Sequence, residues 1–286
     1  YGLLEVTGND ARSFLHSQLT NDIAGLAPDR ARHAGWCSAK GRLLASFLVV
    51  PREGGYFLQL ARDLAPAVAK RLALFILRSQ VKISDASSDW VQLGLWGDGA
   101  EAALGDLGIA SPTQDLQITR NEHLLAVRVS SQRHLLFARA AERARFAALP
   151  SRSDEGNWTL EEIRSGRPLV TRATQDQFVP QMVNYDRFGA VDFQKGCYPG
   201  QEIVARAQYR GQVKRRMVRV RTPVPLQPGQ ELYSDDLPGQ PSGTVVNAAG
   251  GEALAVVQIS TLENGVAVRA KSDGVALDVL PLPYPA

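Results

Sequence analysis

The sequence predicts an α+β protein of antiparallel layers followed by a small C-terminal β-barrel or sandwich. Three observations carry this. Apolar runs pair as hairpins across Gly-containing loops instead of alternating regularly with helices, which favours antiparallel sheets. The order of strands and helices starts again at Trp90. Beyond Gly211 short β-rich runs alternate with Pro and Gly, the punctuation of a small all-β module.

The elements follow in chain order. Asn9 or Asp10 caps a first helix in which Ala11, Phe14, Leu15 and Leu19 recur at helical spacing. It stops at Thr20-Asn21-Asp22, whose short polar side chains favour turns. Leu43–Val50 and Tyr56–Leu60 form a hairpin across Pro51-Arg52-Glu53-Gly54-Gly55. Asp63 to Arg78 reads as a helix with Leu64, Val68, Leu72, Phe75 and Ile76 on its buried side. After Trp90 come a strand at Val91–Trp96, a short helix at Gly99–Leu107 and a strand at Leu116–Thr119. A hairpin of Leu124–Val129 with Leu135–Ala138 follows, then a helix at Ala141–Leu149. Residues 150–156 read as a linker, and a helix runs from Trp158 through Ile163. The last module holds strands at Val213–Val220, Gly243–Val246, Leu254–Ile259, Val266–Ala270 and Val275–Val279.

With 286 residues, 44% of them hydrophobic and 21% charged, the chain has the composition of two or three packed domains and not of a disordered one. No apolar run approaches the roughly 20 residues of a membrane span, and the first residues show no basic n-region or cleavage site. The expectation is a soluble cytoplasmic protein with no membrane partner. Cys37 and Cys197 show no C-x-x-C spacing and His16, His33, His123 and His134 are scattered, so no metal site is expected and both thiols should be free. Net charge is +3, but from Ile203 to Gln230 there is no acid while Arg206, Arg210, Lys214, Arg215, Arg216, Arg219 and Arg221 supply seven positive charges. Such a stripe attracts anions, whether a polyglutamate tail, a phosphate or RNA, or simply keeps a strand solvated.

The most informative segment is Asp192 to Glu202. Cys197 lies between Gly196 and Gly200, two residues after Lys195 and ahead of a helix expected to start at about Gly200. A nearby ammonium and a helix N-terminus both favour a thiolate. The alternative is a small residue that merely fits a tight turn.

Lys195-Gly-Cys-Tyr-Pro-Gly-Gln-Glu202, followed by Val204-Ala-Arg206 and Tyr209-Arg-Gly211, resembles the signature of the YgfZ family, folate-binding proteins related to the glycine-cleavage T-protein. Gln18-Leu-Thr-Asn-Asp22, Ser38-Ala-Lys-Gly-Arg42 and Phe178-Val-Pro-Gln181 resemble further family segments. The resemblance implies two intertwined antiparallel-sheet α/β domains around a central pocket, plus a C-terminal small β-barrel. The expected division is residues 1–88 with 157–211, then 89–150, then 212–286. It also implies tetrahydrofolate or a derivative as cofactor, and a role in iron–sulfur cluster assembly or repair, including the clusters of tRNA-modifying radical enzymes. Cys197 would be the functional thiol with Lys195 beside it, and Asn21, Asp22, Arg164, Gln181 and Gln201 the folate-site candidates.

Two positions depart from the T-protein pattern. Where relatives carry an aspartate pair on the first hairpin strand, this chain has Ala45 and Ser46, which supply no carboxylate. In Glu162-Ile-Arg-Ser-Gly166, Arg164 stands where relatives place a pterin-gripping glutamate, and a guanidinium has donors but no acceptor. The leading reading is an accessory protein that binds a reduced folate and serves iron–sulfur client enzymes or assembly proteins, not a conventional enzyme. A folate-dependent aminomethyltransferase or demethylase and an RNA-binding module using Arg206, Tyr209, Arg210 and Lys214–Arg216 stand beside it.

Overall fold

A computed structural model describes residues 1–149, 155–211 and 213–285. The chain folds into two compact units, one of Tyr1–His16, Asp22–Ala34 and Phe47–Ser153, the other of Ser17–Asn21, Gly35–Ser46 and Asp154–Ala286.

Strands β1 (Gly2–Thr7), β2 (Arg32–Cys37), β3 (Leu43–Arg52), β4 (Gly55–Leu60) and β5 (Lys82–Asp85) form a sheet of order β2-β3-β4-β1-β5. The β3–β4 hairpin is the expected one, paired Leu48↔Gln59 through Arg52↔Gly55. Every residue of β3 up to Pro51 is buried, and all but Ser46 are apolar, so the strand is covered on both faces without alternation. Helix α1 (Ala11–Gln18) ends where the Thr-Asn-Asp turn signal stands.

Helix α2 (Ala65–Ala73) is shorter than the Asp63–Arg78 expected. Gln80 N–H donates to the Asp10 carboxylate (2.7 Å) and Gln80 C=O accepts from Asp10 N–H. That anchor beside the β1–α1 turn diverts the chain after Ala73. Phe75 is therefore exposed instead of buried, with Leu74 and Leu77 beside it.

A second sheet, of order β6-β9-β8-β7, joins β6 (Trp90–Trp96), β7 (Ile118–Arg120), β8 (Leu124–Ser130) and β9 (Arg133–Arg139). Helix α3 (Ala100–Asp106) covers it through Leu104, beside Leu124, Ala126, Leu136 and Ala138. Phe57 stacks on Phe137 (5.7 Å between centroids) and meets the edge of Trp90 (4.6 Å). The helix expected at Ala141–Leu149 is a 3₁₀ helix, Ala140–Phe146. Of the expected linker, residues 150–154 lie outside the described residues, and Glu155 and Gly156 already belong to α4 (Glu155–Arg164).

In the second unit a 3₁₀ helix (Pro180–Val183) and α5 (Gln201–Tyr209) precede six strands. These are β10 (Arg215–Arg221), β11 (Glu231–Ser234), β12 (Gly243–Ala249), β13 (Glu252–Gln258), β14 (Val268–Arg269) and β15 (Asp278–Leu280), with α6 (Ile259–Glu263) after β13. Their order is β14-β11-β12-β13-β10-β15, with antiparallel pairings. Ala253, Ala255 and Val257 alternate inward with Val220, Leu232 and Val245 to make the core. A bulge between Val245 and Asn247 aims the Asn247 amide at both backbone groups of Leu169 (2.8 and 2.9 Å).

Candidate functional site

The segments singled out in the sequence meet in the second unit through backbone hydrogen bonds. Thr20 N–H donates to Gly35 C=O (2.9 Å), Gly35 N–H to Thr20 Oγ1 (2.7 Å), and Thr20 Oγ1 to Ala190 C=O (2.8 Å). Asp192 N–H then returns to Thr20 C=O (3.0 Å). The Asp192 carboxylate accepts from Gln194 and Lys195 N–H, an Asx-type turn that sets the start of the cysteine loop. Lys195 Nζ donates to Leu19 C=O (2.7 Å) and lies 4.9 Å from the centre of the Tyr198 ring. Its ammonium thus ties the loop to the early Gln18–Asn21 segment.

On the other side the loop rests on Ser38–Arg42. Ser38 N–H bonds to Arg42 C=O and Gly41 N–H to Ser38 C=O (2.8 Å each), closing a tight turn with Gly41 at φ +69°. Gly200, at φ +78°, sits so close that a Cβ would fall 2.3 Å from Ser38 O and 2.7 Å from Gly41 Cα. Only glycine fits on both counts. Ser38 Oγ donates to Asp176 (2.8 Å), and Leu43 N–H to Phe178 C=O (2.8 Å).

Between these supports Cys197 is exposed, four residues ahead of α5, while Tyr198 beside it is buried. Cys37 is the opposite case: it is buried, and burial, aided by the Asp176 carboxylate, pushes its thiol up. Burial likewise pushes up the Tyr185 and Tyr198 phenols. One thiol is therefore accessible and the other inert.

The remaining candidates lie as follows. Asn21 Nδ2 donates to Gly189 C=O (2.7 Å). Asp22 accepts from Gly25 N–H (3.0 Å), and that bond, with His16 and Arg32, holds its carboxyl below the usual range. Gln201 Nε2 reaches Lys195 C=O at 3.5 Å. Arg164 lies on the outside of α4, donating to Glu161 (2.9 Å) and Glu252 (3.1 Å). Gln181 is fully buried: Nε2 donates to Val204 C=O (2.7 Å), and Oε1 receives no hydrogen bond among the described residues. Gln18 Oε1 is buried and unsatisfied in the same way. The residue pattern gives no reason to prefer Gln18 over its neighbours Asn21 and Asp22; the buried Oε1 without a hydrogen bond among the described residues does. Ala45 is fully buried and Ser46 Oγ accepts from Val170 N–H (2.8 Å), so no carboxylate stands at either position.

The fold is that of the glycine-cleavage T-protein joined to a distinct C-terminal sheet. Residues 1–135 match the GCVT N-terminal domain, and residues 214–283 the CAF17 C-terminal beta-barrel domain. The structure superposes on the glycine cleavage system aminomethyltransferase T from Bartonella henselae with a TM-score of 0.79, covering 99% of this chain and 83% of that one. At 18% identity this is a likeness of fold. The relatives nearer in sequence bear another name. The tRNA-modifying protein YgfZ of Edwardsiella ictaluri is 35% identical, over 98% of this chain and 89% of its own length. Those of Sodalis glossinidius and Klebsiella pneumoniae are 32% and 30% identical, each over 99% of this chain and 90% of their own. The chain belongs to the YgfZ family. Among the described residues no helix is long and apolar enough to cross a membrane.

Proposed function

We propose that the chain is a folate-binding accessory protein of iron–sulfur cluster assembly or repair in the cytoplasm, with Cys197 as its functional thiol. Its clients on this reading are cluster-bearing enzymes or assembly proteins, those that modify tRNA among them, in keeping with the name of its relatives. One observation carries the reading. Cys197 is an exposed thiol on a loop braced from two sides, by Lys195 on Leu19 and by Gly200 on the Ser38–Arg42 turn. Such bracing positions a reactive group without burying it.

A reduced pterin presents N–H donors along one edge, and the buried acceptors Gln18 Oε1 and Gln181 Oε1 match that need. These two residues would hold the ring, with Asn21 and Gln201 from the motif segments of the same unit. When bound, tetrahydrofolate supplies a one-carbon carrier. Arg164 has no part in holding it on this reading, since its guanidinium is taken up by the Glu161 and Glu252 carboxylates. Ala45 and Ser46 leave the hairpin strand without the carboxylate that aminomethyl transfer uses, so the reading is of an accessory protein.

The test is complementation of a strain lacking the gene, reading the cluster-dependent tRNA modification directly. Cys197→Ala should fold with the wild-type melting temperature and fail to restore the modification. Full restoration would refute the role of the thiol. Tetrahydrofolate binding, followed by anaerobic calorimetry, should survive Cys197→Ala and be lost in Gln181→Met; no binding by the wild type would remove the folate from the reading.

A further inference from the structure

Away from the cysteine loop, the end of α5, the start of β10 and the junction of β13 with α6 enclose a cleft of about 620 Å³. That is room for a group of nucleotide size. Its walls are held by Arg215 pairing with Gln258, by Ile259 N–H on Lys214 C=O (2.9 Å) and by Gly211 N–H on Arg206 C=O (2.8 Å). Three cations line it: Arg187, Lys214 and Arg216. Gln208, Gln258 and Ser260 add neutral donors, and the acid in the lining is Glu263, which is exposed.

The three cations are not equivalent. Arg216 is neutralised by a two-pronged pair with Asp186 (2.7 and 2.8 Å) and also donates to Gln181 C=O (2.7 Å). Arg187 is half-buried and makes no ion pair among the described residues; neither does exposed Lys214. Burial and the neighbouring Arg216 both weigh against the Arg187 charge, and Asp186 offsets them in part. A folded chain that keeps such a cation in a cleft presents a site lacking its counter-ion.

We infer that this cleft seats a backbone phosphate of a single-stranded RNA between Arg187 and Lys214. The tetrahedral phosphate offers several oxygens to two cations at once, with the amide and hydroxyl donors beside them. The strand reading, over a lone anion, comes from what adjoins the cleft. The acid-free stretch from Ile203 to Gln230 continues the positive charge along α5 through Arg206 and Arg210. Tyr209, 69% exposed at the end of α5, offers a ring for a base to stack on. This site goes beyond the cysteine and folate reading and does not depend on it.

Fluorescence anisotropy of labelled rU12 across 50 to 200 mM salt tests it, with wild type, Arg187→Gln, Lys214→Gln and the double variant. The double variant should bind at least tenfold more weakly, and its log–log salt dependence should be shallower by about 0.7, one single-strand phosphate. Inorganic pyrophosphate should compete and hexaglutamate should not. Arg187→Gln should melt no lower than wild type, because it removes a like-charge neighbour of Arg216. Equal binding by wild type and double variant, no binding of rU12 by wild type, or competition by hexaglutamate equal to that of pyrophosphate would each overturn the assignment. A lowered melting temperature for Arg187→Gln would do so too, by making the residue structural.

Discussion

Arg164 faces outward from α4 between Glu161 and Glu252, which makes it a surface ion-pair residue. Its side chain is 45% exposed, so the pair with Glu161 is worth at most about 1 kcal/mol. Replacing it with the T-protein glutamate gathers three acids at one spot. Arg164→Glu should therefore melt a few degrees lower and gain no tetrahydrofolate affinity, as calorimetry would read. The two cysteines give a second check at this scale. A water-soluble disulfide reagent should titrate one thiol per native chain, Cys197, and two after denaturation, because Cys37 is buried and its thiolate disfavoured.

Among elements, the loop from Lys195 to α5 depends on Gly200. Gly200→Ala forces a Cβ into Ser38 O and strains a left-handed residue, at a cost of about 1–3 kcal/mol from backbone strain alone. Urea unfolding should show that loss, and the labelling rate of Cys197 should change with it. Strand β9 makes a different prediction. His134 lies between Leu95 and Arg128 in the middle of its sheet, fully buried, with neither ring nitrogen hydrogen-bonded among the described residues. Burial, with Arg128, lowers its pKa from 6.5. The unfolded chain thus takes up a proton that the folded chain refuses as pH falls below about 6.5. His134→Leu should make stability less dependent on pH between 7 and 5, the gain over wild type growing toward pH 5. Elements written in local chemistry were legible in the sequence. The β3–β4 hairpin was marked by Gly54-Gly55, and α5 by Gly200. Strand β2, Arg-His-Ala-Gly-Trp-Cys, lacks β-branched residues and is a strand through its neighbours' hydrogen bonds. The end of α2 carries no Gly or Pro and is set by the Asp10–Gln80 anchor, a contact 70 residues apart. The cysteine motif was legible too, but not which supports brace it, nor that Gln18 is buried or that Arg187 joins the basic stripe in a cleft.

At the scale of the molecule, the two family matches leave residues 136–213 between them, and that interval holds the cysteine signature. The second unit also draws two short pieces, Ser17–Asn21 and Gly35–Ser46, from the beginning of the chain. Residues 1–153 expressed alone should bind a hydrophobic dye and lack a cooperative melt, because Thr20 and Leu19 lose the Ala190 and Lys195 groups that bond them. The same interleaving sets an order on biosynthesis. Leu19 and Thr20 leave the ribosome long before their partners, 176 and 170 residues further along the chain, are made. The cysteine loop cannot be braced until more than two-thirds of the chain has been translated. Until then the early motif waits unpaired, a window in which a chaperone finds exposed backbone and a mistimed pause invites aggregation.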